Sequence, residues 1–140
     1  VVMNRLSLEK LTRVQNFLAP SLIILVGTVG STGVPQLTPN WYVYQDGKVK
    51  VSTTKERVKY KNVIRDPRLS LCVYSDISAS EYLTIYGRAK IYEDATIWQV
   101  TQAIVERYVP PDLVEAKMRD LRTENRVIIS VDIERVVFRE

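Results

Sequence analysis

The residue types best suited to chemistry are concentrated between Ser52 and Asn62. Ser52 and Thr53 lie at the end of a predicted strand, where their hydroxyls can donate hydrogen bonds to phosphate oxygens. Arg57 and Lys59 follow at the start of a predicted short helix, whose free N–H groups add partial positive charge. Arg57 can hold two phosphate oxygens in a fork, whereas Lys59 acts as a point charge. This order of hydroxyls, cations and helix start predicts a site for a phosphate-bearing ligand.

The spacing of Arg57 and Lys59 places a geometric condition on that prediction. Side chains two residues apart on an ideal helix point about 200° away from each other. The two cations therefore converge on one phosphate only if Arg57 lies at the junction between loop and helix.

Positive charge is confined to one segment. Between Lys55 and Arg68 the chain carries six basic and two acidic residues, which accounts for its whole formal net charge of +4. Such a cluster suits a phosphate ligand, although charge alone is equally consistent with a solvated helix face. Nucleic-acid binding is a third interpretation, but the neutral remainder of the chain leaves little surface for a phosphate backbone. We expect no nucleic-acid partner.

Two residue types that usually carry chemistry are scarce. The chain has no histidine, which excludes the Ser-His-Asp triad, the Cys-His dyad and every metal site that needs imidazole. Cys72 is the only cysteine and is expected to be a small buried side chain. We therefore predict no metal site and no nameable catalytic residue, and expect a bound cofactor to supply any difficult chemistry.

The elements that must position these residues are read from hydrophobic periodicity and from turn residues. Proline cannot donate to a strand ladder, so Pro39 indicates a bulge or a sheet edge. The predicted elements, in chain order, are a helix capped by Ser7 and ending near Leu18, strands over 21–29 and 36–44, a hairpin at Asp46-Gly47, a strand over 48–53, a helix over 57–64, strands over 69–74 and 82–92, two helices separated by Pro110-Pro111, and a strand over 126–138.

This order predicts a mainly β fold. Four or five strands precede the last two helices and are joined mostly by short turns, which favours an antiparallel barrel with peripheral helices. We expect a single domain over residues 1–140. The longest apolar run, 22–26, is far too short to cross a bilayer, and charged residues interrupt the N-terminal helix. We therefore expect a cytoplasmic protein with no membrane contact.

Several of these segments together resemble one family. The sequence Pro35–Tyr42, the Asp46-Gly47 turn, the run Ser52–Asn62 and the tripeptide Asp66-Pro67-Arg68 are similar to the split β-barrel flavin and deazaflavin oxidoreductases of the pyridoxamine 5′-phosphate oxidase class. The resemblance covers about Leu22 to Tyr92 and continues more weakly to the closing strand. It departs from the family pattern at Lys55, where arginine is common, and at Glu56, where glycine is common.

The resemblance implies a split barrel that binds FMN or the deazaflavin coenzyme F-420 in clefts shared by a homodimer. It implies that Arg57 and Lys59 hold the cofactor phosphate and that Asn62 helps to fix the site. Ser52 and Thr53 would contact the phosphate or the ribityl chain. The strand from Thr38 to Trp41 would border the isoalloxazine ring through its backbone.

Three functions remain open from the sequence. The first is an oxidoreductase that transfers hydride to or from a small organic substrate, and the second is a non-catalytic flavin-binding carrier. The third is the nucleic-acid binder considered above.

The aromatic residues have two predicted roles. Trp41 and Tyr42 either flank the ring or pack in the barrel. Tyr82, Tyr86 and Tyr92, on one strand face, are expected to form the subunit interface.

Overall fold

The structure is a computed structural model that describes residues 6–139. It contains seven strands, four α-helices and a short 3-10 turn. In chain order these are α1 Leu8–Leu18, β1 Ile24–Val29, β2 Pro35–Asn40, β3 Val43–Gln45, β4 Lys48–Thr54, α2 Val58–Arg65, β5 Arg68–Tyr74, β6 Tyr82–Tyr92, α3 Ile97–Tyr108, the 3-10 turn Pro111–Leu113, α4 Val114–Leu121 and β7 Arg126–Phe138.

All seven strands belong to one antiparallel sheet. Their order is β2-β1-β5-β6-β7-β4-β3, and every neighbouring pair runs antiparallel. The sheet curls into the predicted split barrel, with the helices at its periphery. Strands β4 and β5 are consecutive in the chain but not adjacent in the sheet, so α2 connects two separate parts of the barrel. The barrel fold is thus confirmed.

The core lies inside the curled sheet and follows the alternation of side chains along each strand. Along β6, Leu83 and Ile85 are fully buried, whereas Tyr82 and Tyr86 are exposed on the other face. Helix α1 closes one end of the barrel. The inward-facing core residues are Val14, Leu18, Ile24, Val26, Val49, Val51, Leu69, Leu71, Val73, Leu83, Ile85, Ile129, Val131 and Val136.

Strand β7 contains a bulge that the sequence did not indicate. Tyr86 pairs with Arg135 and Gly87 with Ile133, so Glu134 is an extra residue in the ladder. Up to Ile133 the odd-numbered side chains face the core, as predicted, but beyond the bulge Val136 faces it. Gly87 packs tightly here, because a Cβ at this position would lie 2.2 Å from the carbonyl oxygen of Asp132.

The strand predicted over 36–44 is divided in two, so the structure has six strands before α3 where four or five were expected. Tyr42 leaves the ladder and is fully buried. Its hydroxyl donates to the carbonyl oxygens of Leu18, at 2.9 Å, and Pro20, at 3.0 Å. The break therefore lies at Trp41-Tyr42 rather than at Pro39. Strand β2, which contains Pro39, lies at the sheet edge, which was one of its two predicted positions.

Helices α3 and α4 form a hairpin on the outer face of the sheet, with a small core of their own built on Val105, Met118 and Leu121. Cys72 lies on an outward-facing position of β5 and is half-buried, not fully buried as expected, because the alternation of β5 turns Leu71 and Val73 inward. No helix in the described range 6–139 is both long and apolar enough to span a membrane.

Candidate functional site

Arg57 occupies the position that the phosphate hypothesis requires. It is the residue before α2, with extended backbone angles of φ −74° and ψ 145°, and its side chain makes no capping hydrogen bond. Arg57 therefore lies at the junction of loop and helix. Because its backbone is not helical, the angle of about 200° that separates side chains two residues apart on a helix does not apply to Arg57 and Lys59. The N–H groups of the first turn of α2 also receive no side-chain cap from residue 57.

Five of the seven predicted site residues line one cavity of about 410 Å³ at the start of α2. We call it the α2 cavity. Its walls come from the edge strand β2, the end of β4, the loop before α2 and the start of β7. The lining residues are Gln36, Thr38, Pro39, Asn40, Ser52, Thr53, Thr54, Arg57, Val58, Lys59 and Arg126.

Lys59 is a buried cation in this cavity. Its residue is only 8% exposed, and its Nζ donates to Oδ1 of Asn40 at 2.6 Å. Burial, together with the nearby positive charges of Arg57 and Arg126, lowers the pKa of Lys59 from 10.5 to about 8. Within residues 6–139, neither Lys59 nor Arg57 forms an ion pair with a carboxylate. The cavity is thus electropositive and lacks an anion of its own.

Arg126 is a third cation of the α2 cavity, and sequence reasoning missed it. Its Nη1 donates to Oγ of Ser52 at 3.2 Å, and its Nη2 pairs with Oε1 of Glu124 at 3.1 Å. Its Nε is buried and has no hydrogen-bond partner in the described structure. Only the register that pairs Thr54 with Arg126 brings this residue to the site, and no local signal in the sequence encodes that pairing.

Asn62 does not reach the cavity. Its side chain is buried inside the protein, where Nδ2 donates to Oγ1 of Thr28 at 3.0 Å and Oδ1 accepts from Nη2 of Arg65 at 2.8 Å. Arg65 in turn donates to the carbonyl oxygen of Val29. Asn62 therefore ties α2 to β1 and positions the helix that carries Lys59.

Trp41 lines a second cavity, of about 370 Å³, which we call the α3–α4 cavity. It lies between the sheet and the α3–α4 hairpin and shares Pro39, Asn40, Ser52 and Arg126 with the α2 cavity. The indole of Trp41 stacks on Tyr108, with ring centroids 5.1 Å apart and planes at 4°. Trp41, the seventh predicted site residue, therefore lies outside the α2 cavity, in a neighbouring cavity that shares one wall with it.

The other basic side chains of the segment 55–68 do not line the α2 cavity. Lys55 pairs with Glu93 at 2.9 Å, and Arg68 pairs with Asp66 at 2.6 Å. Arg65 is exposed and donates to the carbonyl oxygen of Val29 and to Asn62. Of the basic side chains in the segment, only Arg57 and Lys59 line the α2 cavity, while Lys61 and Arg65 are exposed to solvent.

Comparison with known proteins agrees with this architecture. The model of the pyridoxamine 5′-phosphate oxidase family matches residues 11–140. No curated protein matches the chain significantly.

Three solved structures illustrate the range of similar proteins. A conserved hypothetical protein of Mycobacterium tuberculosis is 25% identical, with a TM-score of 0.79, over 99% of this chain and 87% of that one. An F-420 reductase is 23% identical, with a TM-score of 0.70, over 88% of this chain and 94% of that one. A haem-binding protein of Mycobacterium smegmatis is 17% identical, with a TM-score of 0.75, over 99% of this chain and 55% of that one.

Proposed function

Because the chain belongs to the pyridoxamine 5′-phosphate oxidase family, we propose that it is an oxidoreductase that binds FMN or the deazaflavin coenzyme F-420. It would use this cofactor to transfer hydride to or from a small organic substrate. The observation that carries the proposal is the α2 cavity, in which the buried amine of Lys59 lies among other cations without an acidic partner. A buried charge of this kind is costly unless a ligand neutralises it.

The donors of the α2 cavity fit a phosphate. Arg57 offers a planar fork and Lys59 a point charge, which together can hold several oxygens of one phosphate. Oγ of Ser52 accepts from Arg126, so its own hydroxyl hydrogen remains available for a ligand oxygen. The Thr53 hydroxyl is a further donor, and the guanidinium of Arg126, which pairs with Glu124, lines the same cavity. An uncharged ligand would leave Arg57 and Lys59 without a negative counter-charge.

The bound cofactor would supply the hydride chemistry. The chain would anchor the phosphate, and the backbone from Thr38 to Trp41 would orient the ring beside the shared wall of the two cavities. Asn62 would act indirectly by holding α2 against β1.

The second subunit of a homodimer would complete the cleft. Tyr82, Tyr86 and Tyr92 are 36%, 37% and 42% exposed on the outer face of β6. Aromatic side chains gathered on one face of a sheet suit a subunit interface, where tyrosine is enriched. We therefore propose that this face of β6 packs against a second copy of the chain.

Fluorescence titration with FMN and with coenzyme F-420 tests the proposal. Arg57→Ala and Lys59→Ala should each weaken binding about 10- to 100-fold, because a charge-assisted hydrogen bond contributes about 1.5–3 kcal/mol. Lys61→Ala is the matched control, since Lys61 is exposed on the same helix, and it should change the affinity less than about twofold. Riboflavin, which lacks the phosphate, should bind weakly and be indifferent to all three substitutions.

If Arg57→Ala and Lys59→Ala bind both cofactors as the unaltered protein does, the cations form a solvated face and the proposed function fails.

A non-catalytic flavin carrier is the second candidate, and one observation favours it. No carboxylate lines the α2 cavity, so the lining residues offer no carboxyl group to exchange a proton with a cofactor or substrate. Steady-state reduction of dyes, quinones or enones by the loaded protein distinguishes the two candidates: turnover indicates an enzyme, and its absence with tight binding indicates a carrier. Haem with a histidine ligand is not a candidate, because the chain has no histidine.

A further inference from the structure

The α3–α4 cavity combines an apolar floor with positive charge at its edge. Its floor is formed by Ile23, just before β1, and by side chains of α3 and α4, and its wall by the indole of Trp41. Its volume of about 370 Å³ lies in the range of small-molecule pockets, about 300–1,000 Å³. The apolar lining residues are Ile23, Pro39, Trp41, Ile104, Val105 and Leu121.

Two cations line the same cavity. Lys117 is half-buried on α4, with its Nζ 5.8 Å from the centre of the Trp41 ring, and it forms no ion pair within the described residues. Arg126 lies in the wall shared with the α2 cavity, where it pairs with Glu124 and its buried Nε has no hydrogen-bond partner. No carboxylate lines the cavity. The chemistry that suits these groups is a flat apolar body that carries one negative charge.

The Trp41 ring is held in place for such a contact. Tyr108 stacks on it, while the Tyr108 hydroxyl donates to the carbonyl oxygen of Leu22 at 2.5 Å and accepts from the Tyr42 backbone N–H at 3.4 Å. A ring fixed in this way forms a preorganised apolar wall beside Lys117, which lowers the entropy cost of placing a ligand against it.

We propose that the α3–α4 cavity is a substrate pocket for a planar, largely apolar molecule bearing a carboxylate. The flat body would lie against Trp41 and the apolar floor, and the carboxylate would bind Lys117 with help from Arg126. That the bound molecule is a substrate rests on the proposed function, whereas binding in this cavity does not, because apart from the shared wall the two cavities are lined by different residues. The pocket lies next to the α2 cavity, so cofactor and substrate could be bound at the same time.

Calorimetric titration with 2-naphthoate tests this assignment on the protein without cofactor. We expect binding that Lys117→Gln weakens about tenfold, the effect of losing one charge-assisted hydrogen bond, and that Lys117→Glu abolishes. Arg119→Gln is the matched control, because Arg119 lies on the same helix, is 71% exposed and pairs with Glu115. It should leave the affinity within about twofold. The neutral analogue 2-naphthamide should bind more weakly and ignore Lys117→Gln.

A second titration separates this site from the cofactor site. The FMN-saturated protein should still bind 2-naphthoate, and Lys117→Gln should leave FMN affinity nearly unchanged while Arg57→Ala lowers it. If FMN fails to bind but 2-naphthoate still depends on Lys117, the proposed function fails and the pocket stands.

The pocket assignment is overturned by any of three results. These are no binding of 2-naphthoate at millimolar concentration, equal binding by the unaltered protein and Lys117→Gln, or displacement of 2-naphthoate by FMN, which would place the carboxylate in the α2 cavity.

Discussion

Replacing the buried lysine with an apolar residue of similar length should stabilise the protein while damaging its proposed site. Folding lowers the pKa of Lys59 from 10.5 to about 8, chiefly through burial. At pH 7 this corresponds to about 3 kcal/mol of unfavourable free energy in the folded state. Lys59→Met removes that cost and loses the hydrogen bond to Asn40, which contributes about 1 kcal/mol. The free energy of unfolding should therefore rise by about 2 kcal/mol.

The pH dependence of this gain follows from the same pKa values. Unfolded chains hold the Lys59 proton up to pH 10.5, and folded chains only up to about pH 8, so between these values the unfolded state binds more protons. The stability of the unaltered protein therefore rises across this window as the penalty fades. Near pH 10 the remaining penalty is about 1 kcal/mol, which offsets the lost hydrogen bond. Lys59→Met and the unaltered protein should then be equally stable.

Urea denaturation of the cofactor-free protein at pH 7 and pH 10 measures both effects. Lys61→Met is the matched control and should change stability by less than about 0.5 kcal/mol at either pH, because Lys61 is exposed. The reasoning is refuted if Lys59→Met is less stable than the unaltered protein at pH 7, or if its advantage is the same at both pH values. At the same FMN concentration, the unaltered protein should be stabilised more than Lys59→Met, because the variant binds FMN more weakly.

Other consequences are open to direct measurement. The affinity for FMN should fall as the pH rises above about 8, because the phosphate binds the charged form of Lys59; Lys59→Arg should flatten this dependence in a fluorescence titration at pH 7–9.5. Light scattering should give twice the 16.1 kDa chain mass, and Tyr86→Asp on the exposed face of β6 should yield the single-chain mass. Dialysis against a chelator should leave cofactor binding unchanged, since the chain has no histidine and one cysteine. Tyr42→Phe should lower the free energy of unfolding by about 1–2 kcal/mol in urea, because it strips a buried donor from the carbonyls of Leu18 and Pro20.

The parts of the fold that follow local rules were predictable from the sequence. The helix from Leu8 to Leu18 has a serine cap and helical spacing, and Ser7 does accept from the Lys10 N–H. The Asp46-Gly47 turn has both residues at positive φ, which is the conformation that such hairpins require. The short helix after β4 was also predicted, but it begins at Val58 rather than at Arg57, so the structure meets a condition on Arg57 that the sequence left open.

What the sequence could not provide depends on contacts between distant segments. Tyr42 breaks its strand in order to bond the end of α1, more than twenty residues earlier in the chain. Arg126 reaches the site only through the β4–β7 register. Asn62 carries no local sign that its amide would be used by Thr28 rather than by a ligand. In each case, the partner is chosen by tertiary packing, which residue type and spacing do not specify.

The bulge in β7 also bears on how the chain can change length during evolution. Glu134 is the extra residue between the pairs Tyr86–Arg135 and Gly87–Ile133. Deletion of Glu134 would restore an unbroken alternation in which Val136 still faces the core. Deletion of one residue from the stretch 127–131 would instead shift the register, and every side chain between the deletion and one end of the strand would turn to the opposite face of the sheet. Relatives that lack one residue in this strand are therefore expected to have lost it at Glu134.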